Sequence, residues 1–310
     1  LKVYVIKRVA LLIPLLLGIT LTTFTLTKAL PGDPVYSMVG ERSSPEIIAK
    51  IREQIGSDKG VIRQYAGYVS LLLRGEMGRS FYTNRRVLAD ILVKFPNTLK
   101  LAAGAMAMSV AFGLFLGVWA ALRKDSITDR AISWLSITGL SVPVFWSGLL
   151  LMLFFSFKLR FLPPSGTGGL RYLILPSMTL ALPALATLVR ITRVSVINVM
   201  DMPFVRTARA KGITEIRVIG VHILKNALIP VITVIGLDFG SYLSGAVLTE
   251  TIFGWDGIGR FTMEGIVKRD YPVIMGCIII STVAFVLTNL LVDIIYHFLD
   301  PRVRINDSAR

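Results

Sequence analysis

The sequence predicts an all-α polytopic membrane protein with six transmembrane helices, on three observations. Only 17% of the 310 residues are charged and 54% are hydrophobic, whereas soluble domains average about 25% charged. The apolar residues are gathered into long runs: 9–27, 101–122, 131–157, 172–189 and 273–292 carry no charge, and 227–249 carries only Asp238. Each run meets or nearly meets the roughly 20 residues with which a helix crosses a hydrocarbon core about 30 Å thick. The formal net charge of +15 falls mostly between the runs, where lysine and arginine set membrane topology. A soluble globular fold is excluded. The partner this charge points to first is the lipid bilayer, with no nucleic acid.

Lys2, Lys7 and Arg8 precede the first run. That run is longer than a signal-peptide core and no small-residue cleavage site follows it, so it reads as a retained anchor. The next 69 residues, 28–96, carry eleven basic and seven acidic residues and have a pattern of their own. Ser43-Ser44-Pro45-Glu46 reads as a helix start and Gly56 as a stop. Ile62, Tyr65, Ala66, Val69, Leu72 and Leu73 then share one helical face that ends at Gly75. Segment 1–98 is therefore expected to be the first transmembrane helix plus a large helical extracytoplasmic loop. Residues 99–305 form a five-helix core, and 306–310 a tail.

Within the core, Pro143, Pro176 and Pro183 interrupt apolar runs, as Pro14 does in the first. Each removes a backbone hydrogen bond, and Ser141, Ser147, Thr179 and Thr187 are near enough in sequence to help replace it. Gly113 with Gly117, and Gly236 with Gly240, have the spacing that lets helices approach closely. Between the latter pair sits Asp238, eight residues past Pro230 and so about 12 Å along a helix. An ionisable group at that depth either faces a translocation pathway, where it could meet a cationic group on a substrate, or is hydrogen-bonded inside the bundle. Glu250 and Asp293 lie nearer span ends. Cys277, the only cysteine, is expected to be a small core residue.

Six spans put both termini on one side of the membrane. Segments 1–8, 123–130, 190–226 and 300–310 hold sixteen Lys/Arg in 64 residues, while the short loops 158–171 and 251–272 hold six in 36. The denser side is the cytoplasm. Its most basic member is the loop 190–226, where Val205, Ala208 and Gly212 share one helical side and Ile216, Ile219 and Ile223 another. Gly212 would supply a left-handed turn between two short helices. On residue types alone the loop serves either as a lipid-surface helix or as a docking element.

Enzyme motifs are missing: there is no HExxH, no GxSxG and no glycine-rich phosphate cradle. Gly257-Ile258-Gly259 begins a GxGxxG, but Thr262 replaces its third glycine and no strand precedes it. His222 and His297 are too isolated to suggest a metal site. A membrane enzyme or a receptor would need convergent catalytic side chains or an output domain, and neither is evident. No catalytic residue and no metal ligand is assigned.

Several stretches in order resemble one family, the binding-protein-dependent ABC transporter permeases of the dipeptide/oligopeptide/nickel class. They are FTLTKALPGDP (24–34), Gln64-Tyr65, GEMGRSF (75–81), FPNTLKLA (95–102), GLSVPVFW (139–146) and VRTARAKG (205–212). HILKNALIP (222–230), ETIFGWDGIGR (250–260), RDYP (269–272) and LDPR (299–302) complete the set. The resemblance covers nearly the whole chain. It implies the ABC importer type I permease fold, with the large extracytoplasmic loop after the first helix and a multi-pass location in a bacterial or archaeal cytoplasmic membrane.

It also implies that the basic loop is an ATPase-coupling loop, carried by Val205, Arg206, Thr207, Ala208, Arg209, Ala210, Lys211 and Gly212 with His222 and Asn226. The general consensus of that loop opens Glu-Ala-Ala, and here Arg206, Thr207 and Ala208 stand in those places. An ion pair made by that glutamate in other branches is therefore not expected. The implied partners are a homologous second permease, two cytoplasmic ATP-binding subunits and an extracytoplasmic substrate-binding protein. ATP and Mg would sit on the partner subunits, with no cofactor on this chain. The candidate translocation-pathway residues are Asp238 and Glu250. The expected cargo is dipeptides or small oligopeptides; alternatives are nickel–chelator complexes, glutathione or another peptide-like solute.

Overall fold

The computed structural model describes residues 2–29, Glu46 and 60–299. The helix start expected at 43–46 and its stop at Gly56 lie outside the described residues, apart from Glu46. Among the described residues the fold is helical, with a single isolated antiparallel bridge, Arg79 to Arg86. The helices are α1 (Lys2–Ala29), α2 (Val61–Leu73), α3 (Val87–Leu122), α4 (Ile127–Ser141), α5 (Val144–Lys158), α6 (Leu170–Met200), α7 (Pro203–Ala210), α8 (Glu215–Leu243), α9 (Val247–Ile252), α10 (Ile258–Lys268) and α11 (Tyr271–Leu299).

Four of them, α3, α6, α8 and α11, are long and apolar enough to cross a membrane. The pair α4 and α5 makes a fifth if it counts as one span, and α1 carries a shorter apolar stretch, Ala10–Leu26. Six spans therefore require both the bent pair and α1 to cross. The run 131–157, read as one span interrupted at Pro143, is bent by 104° between α4 and α5. Val142 is extended, as the residue before a proline prefers, and Pro143 starts α5 as its N-cap instead of continuing α4.

The chain forms two compact units. The first comprises 1–99, 244–251 and 255–286, and the second 100–243, 252–254 and 287–310. In the first, Val87, Ile91, Ile258, Val273 and Cys277 make a core flanked by Met77, Phe95, Phe261 and Ile280. Cys277 is buried there, as expected of a small core residue. In the second, α6 is the central helix, packed by α4, α5 and α8.

Small residues govern the approach of α3 to α6. A side chain at Gly113 would stand 2.8 Å from Leu188, one at Gly117 2.6 Å from Thr192, and one at Gly104 2.6 Å from Ser177. Likewise Gly236 leaves no room, since a Cβ there would fall 2.0 Å from Val292. The glycine spacing thus does what it predicts. The hydroxyls near the prolines do something else. Thr179 donates to Leu175 O, Thr187 to Pro183 O, Ser141 to Ile137 O and Ser147 to Val144 O. These carbonyls lie one turn back from each hydroxyl and are not those a proline leaves unpaired.

Candidate functional site

The basic loop is shorter than its sequence suggests. α6 continues to Met200 and α8 begins at Glu215, so the loop proper is 201–214, within the expected 190–226. Pro203 starts α7 at the position where a missing N–H costs nothing. Val205 and Ala208 turn inward onto Ala121, Val196, Val218, Ile223 and Ala227. Arg206, Thr207, Arg209 and Ala210 face outward, with the Thr207 hydroxyl donating to Pro203 O at 3.0 Å.

The end of α7 has a defined chemistry. Lys211 is its C-cap and Gly212 follows at φ +75°. The Gly212 amide donates to Arg209 O at 2.9 Å and the Ile213 amide to Ala208 O at 3.3 Å. This pair of bonds is a Schellman closure, and Ile213 completes it by packing on the same apolar cluster. Arg209 then reaches across the turn to Glu215 with two hydrogen bonds, of 2.6 and 3.2 Å. Glu215 raises the Arg209 guanidinium further above its ordinary range, chiefly through that bond. The pair is solvent-exposed and contributes geometry more than stability.

The second helix of the loop departs from expectation. Residues 218–224 form π-helical turns, and Val218 and Ile223, five apart, are both fully buried. Ile216, expected to share one helical side with Ile219 and Ile223, is 86% exposed while Ile223 is fully buried. A 3.6-residue period does not hold across i→i+5 hydrogen bonding, so the buried face shifts. His222 is half-buried in this segment, and its carbonyl accepts from the Asn226 side chain at 2.8 Å. Met202, Phe204 and Ile216 are exposed in and next to this loop, as are Arg206 and Lys211. Met202, Phe204 and Ile216 carry no periodic signal toward a surface role.

One turn before Val196 on α6, Arg193 makes an ion pair that the sequence did not disclose. Asp129, only 2% exposed, takes the Arg193 guanidinium through Nε at 2.5 Å and Nη2 at 2.6 Å. It also accepts the Asp125 amide, and its own amide is bound by the Ser126 hydroxyl, the N-cap of α4. Ser126 three residues before Asp129 was a readable capping signal; the partner 64 residues on was not.

Of the two candidate pathway residues, Asp238 lies half-buried on α8, and its Oδ2 has no hydrogen-bond partner among the described residues. Tyr242, one turn on, donates to Leu180 O at 2.9 Å. Glu250 is fully buried on α9. α8 stops at Leu243 and the chain turns through Gly245 at φ +104°, so Glu250 lies beyond the span end. Its Oε1 accepts the Thr98 hydroxyl at 2.7 Å and its Oε2 the Arg260 amide at 2.9 Å, while Thr98 in turn accepts the Ile258 amide at 2.9 Å. The carboxylate thereby caps the N-terminus of α10, where no local side chain does so. Burial pushes the Glu250 carboxyl above the usual carboxylate range, and the Thr98 hydroxyl and the Arg260 and Gly259 amides pull it back.

The same region explains the glycine pair at 257 and 259. A Cβ at Gly257 would stand 2.4 Å from the Glu250 carboxylate, and one at Gly259 3.0 Å. Around it, Asn97 donates to Asp256 O at 2.9 Å and Trp255 to Asn97 O at 2.9 Å, and Lys94 pairs with Asp256. A second junction joins GEMGRSF to RDYP: Asp270 accepts the Ser80 hydroxyl at 2.5 Å and the Phe81 amide at 3.1 Å.

Residues 113–305 match a family described as the binding-protein-dependent transport system inner membrane component, and residues 1–102 match its N-terminal counterpart. The chain is 41% identical to the di/tripeptide transport system permease protein DppB of Pseudomonas aeruginosa (strain UCBPP-PA14), covering 97% of this chain and 98% of that one. It is 38% identical to the dipeptide transport system permease protein DppB of Escherichia coli (strain K12) and 38% identical to the glutathione transport system permease protein GsiC of Salmonella choleraesuis (strain SC-B67), at the same coverages. Among solved structures, an inward-facing methionine ABC transporter, MetNI, superposes with a TM-score of 0.58 at 14% identity, over 69% of this chain and 97% of that one. The shared fold is that of a type I ABC importer permease.

Proposed function

The chain belongs to the binding-protein-dependent transport permeases, ABC transporter subunits of the inner membrane, and on that premise we propose that it forms half of an import pathway for dipeptides and small oligopeptides. The observation that carries the reading is near-full-length identity to permeases named for di- and tripeptide transport. A second reading, glutathione or another peptide-like solute, rests on the 38% identity to GsiC, the same as to the Escherichia coli DppB.

In this reading the loop 201–214 lies in the cytoplasm with both termini, and docks on a separate ATP-hydrolysing subunit that holds ATP and Mg. Three features support the docking role. The α7 backbone is closed by its Schellman motif, so the outward residues are presented with little backbone ordering cost. The exposed residues in and next to the loop mix apolar Met202, Phe204 and Ile216 with Arg206 and Lys211. The inward face of α7 is anchored to α6 and α8 through Val196 and Ala227, so displacement of α7 is transmitted to two membrane helices. A nucleotide-driven switch acts only through different binding free energies in its two states, and this loop is where the chain would register them.

A homologous second permease would supply the other half of the pathway, and an extracytoplasmic binding protein would deliver the cargo. Within the pathway Asp238 is the pathway-facing candidate on this chain, because one carboxylate oxygen is left for a partner from outside it. Glu250 is assigned to capping α10. The test is ATP-driven uptake of a labelled dipeptide by proteoliposomes holding the complete transporter, with glutathione and nickel–chelate as competitors. Saturable dipeptide uptake unaffected by either competitor is the expected result. Uptake of glutathione with no dipeptide uptake would favour the second reading.

A further inference from the structure

The helix α2 belongs to the segment between the first two spans, and its contacts bear on its depth. The Tyr65 hydroxyl lies 3.1 Å from the Thr20 hydroxyl and donates to Leu17 O at 3.2 Å. Its ring packs against Phe24 with centroids 5.4 Å apart. These three partners all lie within the apolar stretch Ala10–Leu26 of α1. Thr20 is six residues from the end of that stretch, or about 9 Å at the helical rise.

The sides of α2 are sorted unequally. Tyr65, Tyr68, Val69 and Leu72 are partly buried, and the Tyr68 hydroxyl is buried without a hydrogen-bond partner among the described residues. On the adjoining edge of the same face Ile62 is 86% exposed and Leu73 84% exposed, with Ala66 also exposed. The apolar face is therefore wider than the packing surface that α1 offers. A helix standing above the membrane would hold Ile62 and Leu73 in water. A helix lying in the interface buries its apolar face about 5–10 Å into the headgroup and acyl boundary, which matches the depth set by Thr20. Arg63, beside Ile62 and exposed, can reach the headgroups along its aliphatic stem.

We propose that α2 is an interfacial membrane helix whose Ile62–Ala66–Leu73 stripe contacts lipid acyl chains, so that the segment after α1 returns into the bilayer boundary before α3 begins. This surface is independent of the cargo and of ATPase docking.

The experiment places a nitroxide at Ile62→Cys, Ala66→Cys or Leu73→Cys in the complete transporter in phospholipid nanodiscs, with Asn84→Cys as an exposed loop control; the native Cys277 is buried. Collision rates with oxygen and with a water-soluble nickel chelate are compared. The expected result is oxygen exceeding the chelate several-fold at 62 and 73, and the reverse at 84. Chelate access at 62 and 73 equal to that at 84 would overturn the proposal, as would labels shielded from both reagents, which would mean a protein occupant. Where a label at 62 or 73 lowers the yield of assembled transporter, Ala66→Cys gives the same reading with the smallest change.

Discussion

The Thr98 hydroxyl and the Glu250 carboxylate meet at 2.7 Å across 152 residues of sequence, and together they supply two side-chain acceptors, Thr98 Oγ1 and Glu250 Oε2, to the start of α10. Ile258 and Arg260 donate into this arrangement. It joins the FPNTLKLA and ETIFGWDGIGR stretches, which sequence reading could only place side by side in a resemblance.

Thr98→Val removes both the donor to Glu250 and the acceptor for Ile258, leaving buried polar groups unpaired. The expected cost is about 1–3 kcal/mol, read as a lowered Tm of the purified transporter. An unchanged Tm would count against the cap. Gly257→Ala is expected to act in the same direction, because its Cβ would meet the carboxylate at 2.4 Å.

Asp129→Asn leaves Arg193 buried against a neutral partner. Removing one member of a buried pair typically costs about 3–5 kcal/mol; the side chain of Arg193 is one-quarter exposed, which places the expected loss at the low end. Unfolding in denaturant should show it. Arg209→Ala, by contrast, removes an exposed pair and should leave stability almost unaltered, so equal losses in the two variants would contradict the burial argument.

Gly212→Val forces a β-branched residue into φ +75°, a conformation costing about 1–3 kcal/mol for such a side chain. Nothing lies within 4 Å of the added Cβ, so the penalty is backbone strain and not a clash. The expected phenotype is ATP hydrolysis poorly coupled to uptake, or loss of the ATPase subunit on purification. Normal transport per ATP would argue against docking through this loop.

Asp238→Asn keeps the shape of the side chain and removes its charge. Slower uptake with normal assembly is expected, and unchanged uptake at both limiting and saturating substrate would return Asp238 to a structural role.

Much of this protein was legible from residue order, because a membrane span is a matter of composition over about 20 consecutive residues. The α7 turn was legible for the same reason: Gly212 and the bonds around it are local. The glycine pairs were legible as close-approach sites, though not their partners Leu188, Thr192 and Val292. The Ile216 face was misplaced because π-helical turns alter the period, and no residue between 218 and 224 advertises them.

By itself the sequence determined which segments are apolar, that the backbone takes a left-handed turn at Gly212, and the family to which the motifs belong. Only the tertiary structure decided that Glu250 caps a helix, that Arg193 neutralises Asp129, that the run 131–157 bends, and that α2 lies along the apolar part of α1. The division has a physical cause. Burial in lipid and turn geometry depend on neighbours in the chain, whereas a buried carboxylate takes its role from whichever donors the fold brings within about 3 Å.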